Sequence, residues 1–188
     1  EIVMIQAAIK FFPNSLYISI HSESDYPIVP SNLIIKYLQK NYPNNYIQTL
    51  YDRGSQWKHK RRNVFSISFN ETLNKKINQI IRHLFPKKIM PEAKWRNGWN
   101  WFTMTLIDSK KMIDTLFKRF ILFDSLEYCD FAEEIIFDTL VAEAGINSTN
   151  EYLRYIDWRE RSAHPLVYTE NHFNDIINHR CSLFARKF

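Results

Sequence analysis

The sequence predicts an α/β protein with a mixed central sheet flanked by helices, on three observations. Short runs at residues 16–20 and 64–69, and an aromatic-led run from Trp99 through Ile107, have the character of half-buried strands. Longer stretches such as residues 71–85 carry their apolar residues at helical spacing. Strands alternate with helices along the chain, the order that layers helices on a sheet. With 188 residues, 45% of them hydrophobic and 15% aromatic, the chain is long enough for one well-buried domain. It reads as a single domain over residues 1–188.

Residues 2–12 are rich in apolar side chains and are closed by Pro13, which predicts a mostly buried helix ending before the proline. The strand at 16–20 leads into the polar loop His21 to Pro27, at the end of a strand where open α/β sheets place their ligands. Ser31 is expected to cap a helix through Gln39, with Ile34, Ile35 and Leu38 on one face. Residues 46–50 form a further strand. The run from Arg53 to Asn63 concentrates basic residues around Trp57, a composition that suits an anion, a sugar or a solvated loop.

After the strand at 64–69, the helix at 71–85 turns Leu73, Ile77, Ile80, Ile81 and Leu84 inward. A long basic loop containing Trp95 follows to Gly98, then the aromatic strand, then a helix to about Phe120 capped by Asp108 or Ser109. Residues 130–145 predict a helix ending at Gly145 and carrying Glu133, Glu134 and Asp138 among Ile135, Ile136, Phe137 and Leu140. The tail, residues 152–188, combines an aromatic strand, charged residues around Trp158, a Thr169-capped helix to Asn178 and a closing Leu-Phe-Ala-Arg-Lys-Phe.

Three glycines and a net charge of +5 exclude collagen-like and acidic disordered chains. The charge suits nucleic acid, an anionic membrane surface, a phosphate-bearing small molecule or a solvated face. Cys129 and Cys181 form no framework or metal pair and read as free thiols in a reducing compartment. No apolar run approaches a membrane span, and the first residues lack signal-peptide character. The chain opens on Glu1 in an apolar run, as a piece of a longer polypeptide would.

Glycine-rich phosphate loops, GxSxG, HExxH and CxxC are absent, which removes the common P-loop, dehydrogenase, hydrolase and zinc-protease chemistries. No Asp-x-Asp pair is present to hold a divalent metal on a nucleotide diphosphate. A carboxylate in the first turn of a buried helix, Glu133 or Glu134, is placed to act as a general base, although first-turn acids also answer the helix dipole alone. In the tail, Arg159, Arg161, His164, Arg180, Arg186 and Lys187 suit a diphosphate, or ion pairs with Asp157, Glu160 and Glu170. Trp158 offers a flat face for a sugar ring, or a core side chain.

These residues resemble the core-2/I-branching β-1,6-N-acetylglucosaminyltransferases and the related peptide O-xylosyltransferases, as a bacterial-type member. The tail is the most specific part: Leu-Arg-Tyr-Ile-Asp-Trp, then Ser162-Ala-His-Pro165, the Thr-capped helix and the closing motif. Ser22-Glu-Ser-Asp25-Tyr26-Pro27 is similar to the family's Ser-Gly-x-Asp-aromatic-Pro loop, with Glu23 in place of glycine. Trp99-Asn-Trp101-Phe-Thr-Met-Thr loosely resembles its Gly-Ser-x-Trp strand. Glu134-Ile-Ile-Phe-Asp-Thr139-Leu140 is similar to its Asp-Glu-x-Phe-Phe-x-Thr-Leu segment, with Glu133 where Asp is usual.

The resemblance implies a GT-A-type glycosyltransferase that inverts the anomeric carbon without a metal or other cofactor. It would transfer N-acetylglucosamine or a related sugar from a UDP-sugar donor to a carbohydrate acceptor. Glu134 takes the place of the catalytic base. Lys187, with Arg161 or its substitute Arg159, takes the place of the groups on the leaving diphosphate. Trp158, with Lys60, Arg61 and Asp25 in support, falls at acceptor positions. The family carries a segment ahead of the first helix that forms nucleotide-binding strands, and the chain is expected to lack it. No nucleic-acid partner is implied, and the expected location is the cytoplasm, peripheral to the inner face of the membrane, or the Golgi lumen in a eukaryote. The competing readings are an inactive fragment or carbohydrate-binding module of the same fold, and a nucleic-acid-binding domain using the basic run at 53–63.

Overall fold

A computed structural model describes residues 1–50, 71–84, 93–127, 129, 132–158, 164–179 and 182–188. The basic run at 53–63, the strand expected at 64–69, most of the basic loop after residue 85, and Cys181 lie outside the described residues. The Cys129 thiol donates to the Ser125 carbonyl at 3.7 Å. Helices and a mixed set of strands make the protein α/β. The chain divides into two compact units: Glu1–Gln48, Trp101–Ser109 and Ser148–Phe188 form one, and Thr49–Asn100 with Lys110–Asn147 the other.

In the first unit, α1 (Ile2–Phe11) starts the chain. It was expected to be mostly buried, but only Ile5 is, while Val3, Met4, Phe11 and Phe12 are exposed. Apolar content marks a helix for burial without specifying which of its sides finds a partner. Strand β1 (Tyr17–Ser19) pairs antiparallel with β5 (Thr103–Thr105), Ile18 opposite Met104. The following loop is shorter than expected, because Asp25–Pro27 forms β2 and pairs antiparallel with β7 (Phe184–Arg186). Strand β6 (Arg154–Ile156) lies parallel to β7 on its other side, giving the order β2-β7-β6. A mixed sheet is therefore present, but the described strands form three small sheets rather than one central sheet. Partners from distant parts of the chain close each sheet after two or three residues.

Helix α2 (Ser31–Lys40) has Pro30 as its N-cap, and Ser31 makes no side-chain cap bond. The proline already supplies the extended residue that precedes a first turn. Ile34 and Leu38 pack on the core of Tyr46, Leu153, Leu183 and Phe184, whereas Ile35 is exposed. Residues 46–50 are only partly a strand. Tyr46 makes an isolated bridge to Thr103, and Thr49–Leu50 forms β3, which belongs to the second unit. Leu153, in the left-handed region at φ 56, accepts the N–H groups of Leu183 and Phe184, and so offsets its backbone strain while starting β6 beside β7. A 3-10 turn (Glu170–His172) leads into α7 (Phe173–Asn178). As expected, Thr169 is a cap, but of the 3-10 turn, in a capping box with His172, and the α-helix itself begins only at Phe173 with His172 as its N-cap. Ile176 and Ala185 form a second core with Tyr168.

In the second unit, α3 (Glu71–Leu84) covers nearly the expected residues. Its inward set differs: Leu73, Ile80 and Leu84 are exposed, and Asn78 is buried with its amide donating to the Asn74 carbonyl at 2.9 Å. A local hydrogen bond satisfied that polar side chain, which periodicity does not register. Strand β4 (Asn97–Gly98) pairs with β3, Thr49 opposite Gly98. Helix α4 (Leu106–Lys118) begins before Asp108, and Thr105 rather than Asp108 or Ser109 acts as its cap, its hydroxyl accepting the Asp108 N–H at 3.1 Å. The helix stops short of Phe120, which opens α5 (Phe120–Ser125). Helix α6 (Glu133–Glu143) ends as expected. Gly145 is left-handed at φ 62, its N–H bonds Ala142 and the Ile146 N–H bonds Val141, which is a Schellman closure.

Candidate active site

In the second unit, Glu133 and Glu134 stand in the first turn of α6. Glu133 is exposed and Glu134 half-buried, while every residue from Ile135 to Val141 is buried. Glu134 is therefore the residue at which a buried helix meets accessible space. The helix is pinned beside it. The Thr139 hydroxyl accepts the Arg96 N–H at 3.0 Å, and Glu143 accepts the Lys94 N–H and bonds Arg119. One turn after Glu134, on the same face, lies Asp138, 1% exposed. Its Oδ1 accepts the Thr49 hydroxyl at 2.7 Å, and Oδ2 has no hydrogen-bond partner among the described residues. A Cβ on Gly98 would lie 2.3 Å from Oδ2, so only glycine lets β4 approach this carboxylate. Burial pushes the Asp138 carboxyl up to about 7, against the lowering effect of the Thr49 bond. The run of apolar residues around Asp138 was the signal in the sequence that this acid is buried.

In the first unit, β2-β7-β6 assembles a charge cluster around Asp25. The Asp25 carboxylate is 1% exposed and accepts Arg154 Nε at 2.9 Å, the Ser22 N–H at 3.2 Å and the Ser22 hydroxyl at 3.0 Å. Arg186 Nη1 lies 3.4 Å away and bonds the Ser22 hydroxyl, and His21 Nδ1 lies 3.5 Å from the carboxylate. Arg154 also donates to the carbonyls of Tyr152 and Ile20, both at 2.6 Å. Burial alone would raise the Asp25 pKa. The His21 bond, the Arg154 charge and bond, and the Ser22 N–H outweigh it and hold the carboxyl well below the usual range. Burial lowers the Arg154 pKa, and Asp25 opposes that effect.

One carboxylate thus faces two guanidiniums, the second of which stacks 4.1 Å from the Trp101 ring centre. This positive excess stands next to Lys187. The Lys187 carbonyl accepts the Tyr168 N–H at 2.7 Å, and the Phe188 N–H bonds Ser24 at 3.2 Å. The Ser22–Asp25 loop and the chain around Lys187 are therefore held together. Arg186 was among the tail cations expected to meet a diphosphate or an ion-pair partner, and it faces Asp25. Arg154 was not singled out as a site residue. An arginine inside the apolar strand Leu153 to Ile156 was the available signal, because a buried cation needs an anion.

Trp158, half exposed at 39%, lines a pocket of about 480 Å³ in the same unit. Of the expected site residues, the structure brings Asp25 and the backbone of Lys187 into one cluster and gives Trp158 an accessible position beyond the end of β6. Glu134 belongs to the other unit. Arg159, Arg161, Lys60 and Arg61 lie outside the described residues. Asp25, expected at the acceptor, has its carboxylate turned into the chain.

The core-2/I-branching enzyme family model matches residues 4–179, nearly the whole chain, and the protein belongs to that family of glycosyltransferases. The substrates of such a family are a sugar donor and a sugar acceptor. A direct comparison with curated proteins finds no match.

Proposed function

We propose that the protein is an inverting, metal-independent glycosyltransferase of GT-A type. It moves N-acetylglucosamine or a related sugar from a UDP-sugar to a carbohydrate hydroxyl. Glu134 accepts the proton of the acceptor hydroxyl as that oxygen attacks the anomeric carbon. The bond from this carbon to the diphosphate breaks, and UDP leaves with the electron pair. Lys187, with Arg161 or Arg159, neutralises the departing charge, a role that preorganised cations fill without a metal. Trp158 meets the acceptor, with Lys60 and Arg61 in support. Asp25 acts through the loop it anchors, since Arg186, the residue before Lys187, bonds the Ser22 hydroxyl of that loop. The chain works as one glycosyltransferase domain at the cytoplasmic face of a membrane.

Family membership over residues 4–179 carries this reading. The position of Glu134, half-buried at the start of an otherwise buried helix, supports its part in it. Incubation with a panel of UDP-sugars and oligosaccharides is expected to give a glycosylated product and UDP. In Glu134→Gln, transfer falls about 100- to 10,000-fold, the usual contribution of a general base, while UDP binding by calorimetry persists. Retained turnover in that variant refutes the assignment. Absent turnover and absent UDP affinity in the unmodified protein favour a carbohydrate-binding module of the same fold.

A further inference from the structure

In the second unit, the end of α4 and the whole of α5 leave an apolar surface in water. Met112, Ile113 and Leu116 bury the inner face of α4, and Leu122, fully enclosed, anchors α5. Around these anchors Phe117 is 60% exposed, Phe120 61%, Ile121 56% and Phe123 45%. Phe120 and Phe123 lie side by side, ring centres 6.0 Å apart with 35° between planes, so their surfaces join.

Size, shape and charge decide what covers this patch. Exposures near one half on large side chains of about 150–250 Å² leave on the order of 400 Å² of apolar surface in water. The largest patch on a typical monomer is about that size and is often functional. A stable protein interface takes roughly 800 Å² from each partner, about twice as much. The helix breaks at Arg119, which is drawn to Glu143 at the end of α6. The four residues are thereby divided between two helices and form no single stripe for a helix-binding groove to read. Lys118 sits among them. Along the same stretch three exposed lysines, Lys110, Lys111 and Lys118, are matched by three exposed acids, Asp114, Asp124 and Glu127, so the patch attracts no partner by net charge. A bilayer interface needs neither a large area nor a shaped partner. Phenylalanine and isoleucine enter the acyl boundary, while the Lys118 stem lies along it with its ammonium at the lipid phosphates.

We infer that Phe117, Phe120, Ile121 and Phe123 form a docking tip that inserts into the interface of a lipid bilayer and holds the unit carrying Glu134 against it. The inference shares only the membrane location with the proposed function and needs no sugar chemistry. Apolar insertion drives the binding, which is reversible and on the order of 10⁴ M⁻¹, as for a single acyl chain.

The test uses the full chain with extruded vesicles of phosphatidylcholine, with and without phosphatidylglycerol, at low and high salt. In vesicle sedimentation the unmodified protein binds both compositions to within a few-fold. The double variant Phe120→Ser with Phe123→Ser lowers binding by roughly tenfold or more, while its urea midpoint holds because Leu122 remains. Binding that requires phosphatidylglycerol and vanishes in salt, or that survives in the double variant, overturns the tip, as does absence of binding. Hydrogen exchange on the unmodified protein depends on no variant: vesicles slow the amides of residues 117–125 and leave those of α6 unchanged. Absence of that local protection also overturns the inference. Dimers in sedimentation velocity that dissociate in the double variant, without vesicle binding, overturn it in favour of a second copy of the chain. The double variant transfers sugar to a soluble acceptor as the unmodified protein does, so vesicle binding and turnover stand or fail separately.

Discussion

Asp138 gives the most quantitative test of the second unit. Among the described residues its carboxyl accepts the Thr49 hydroxyl on one side-chain oxygen and has no side-chain partner on the other, and burial holds its pKa at about 7. Below the ordinary value of 3.8 the group is protonated whether the chain is folded or not. Between 3.8 and about 7 the folded protein retains a proton that the unfolded chain releases, so stability falls as pH rises. The loss is complete above about 7. At roughly 1.4 kcal/mol per pH unit the whole window amounts to about 4 kcal/mol, of which roughly 3 lies above about pH 5. Asp138→Asn keeps an acceptor for Thr49 and removes the titration. Urea denaturation followed by tryptophan fluorescence at a series of pH values between about 5 and 8 is expected to show the unmodified protein losing roughly 3 kcal/mol more than the variant across this window. The variant is the more stable at the alkaline end. Parallel curves for the two proteins refute the assignment of a buried, neutral Asp138.

Three further outcomes follow from the same geometry. Gly98→Ala places a methyl 2.3 Å from Asp138 Oδ2 and is expected to cost about 1–3 kcal/mol by overpacking, read as a lower urea midpoint. Asp25→Asn leaves two guanidiniums facing a neutral amide and costs roughly 3–5 kcal/mol. Because the Asp25 pKa is depressed, that contribution is present above 3.8 and is lost as pH falls through the lowered value, so the gap between variant and parent closes in acid. A variant as stable as the parent at neutral pH contradicts the cluster's role. Lys187→Ala is expected to weaken UDP binding in calorimetry by about tenfold, the loss of one charge-assisted bond, whereas a chelator leaves binding unchanged. Chelator-sensitive affinity speaks against the proposed metal-free arrangement.

Local chemistry was legible in the sequence wherever neighbours along the chain settle it. The Thr169 cap, the Gly145 helix end and the aromatic strand of the tail each depend on a few consecutive residues, and each was found where expected, whereas the closing motif was not read as a strand and forms β7. The burial of α1, the cap of α2 and the inward face of α3 were not as expected, because distant partners and local polar bonds settled those. The loop after β1 reads as a ligand loop by itself. Its pairing with β7, 161 residues from Asp25 to Arg186, has no local signature and changes what Asp25 is available to do. Arg154 and Asp138 left fainter traces, as charges set among apolar residues.

By itself the sequence determined the α/β class, the family, and the position of Glu134 at the first turn of its helix, since periodicity, caps and motifs are properties of neighbouring residues. Only the tertiary structure decided which charges are buried and what they face. Desolvation and pairing act through space, and they alone made Asp25 the centre of an arginine cluster, Asp138 a carboxyl that titrates near neutrality, and Trp158 the wall of a pocket.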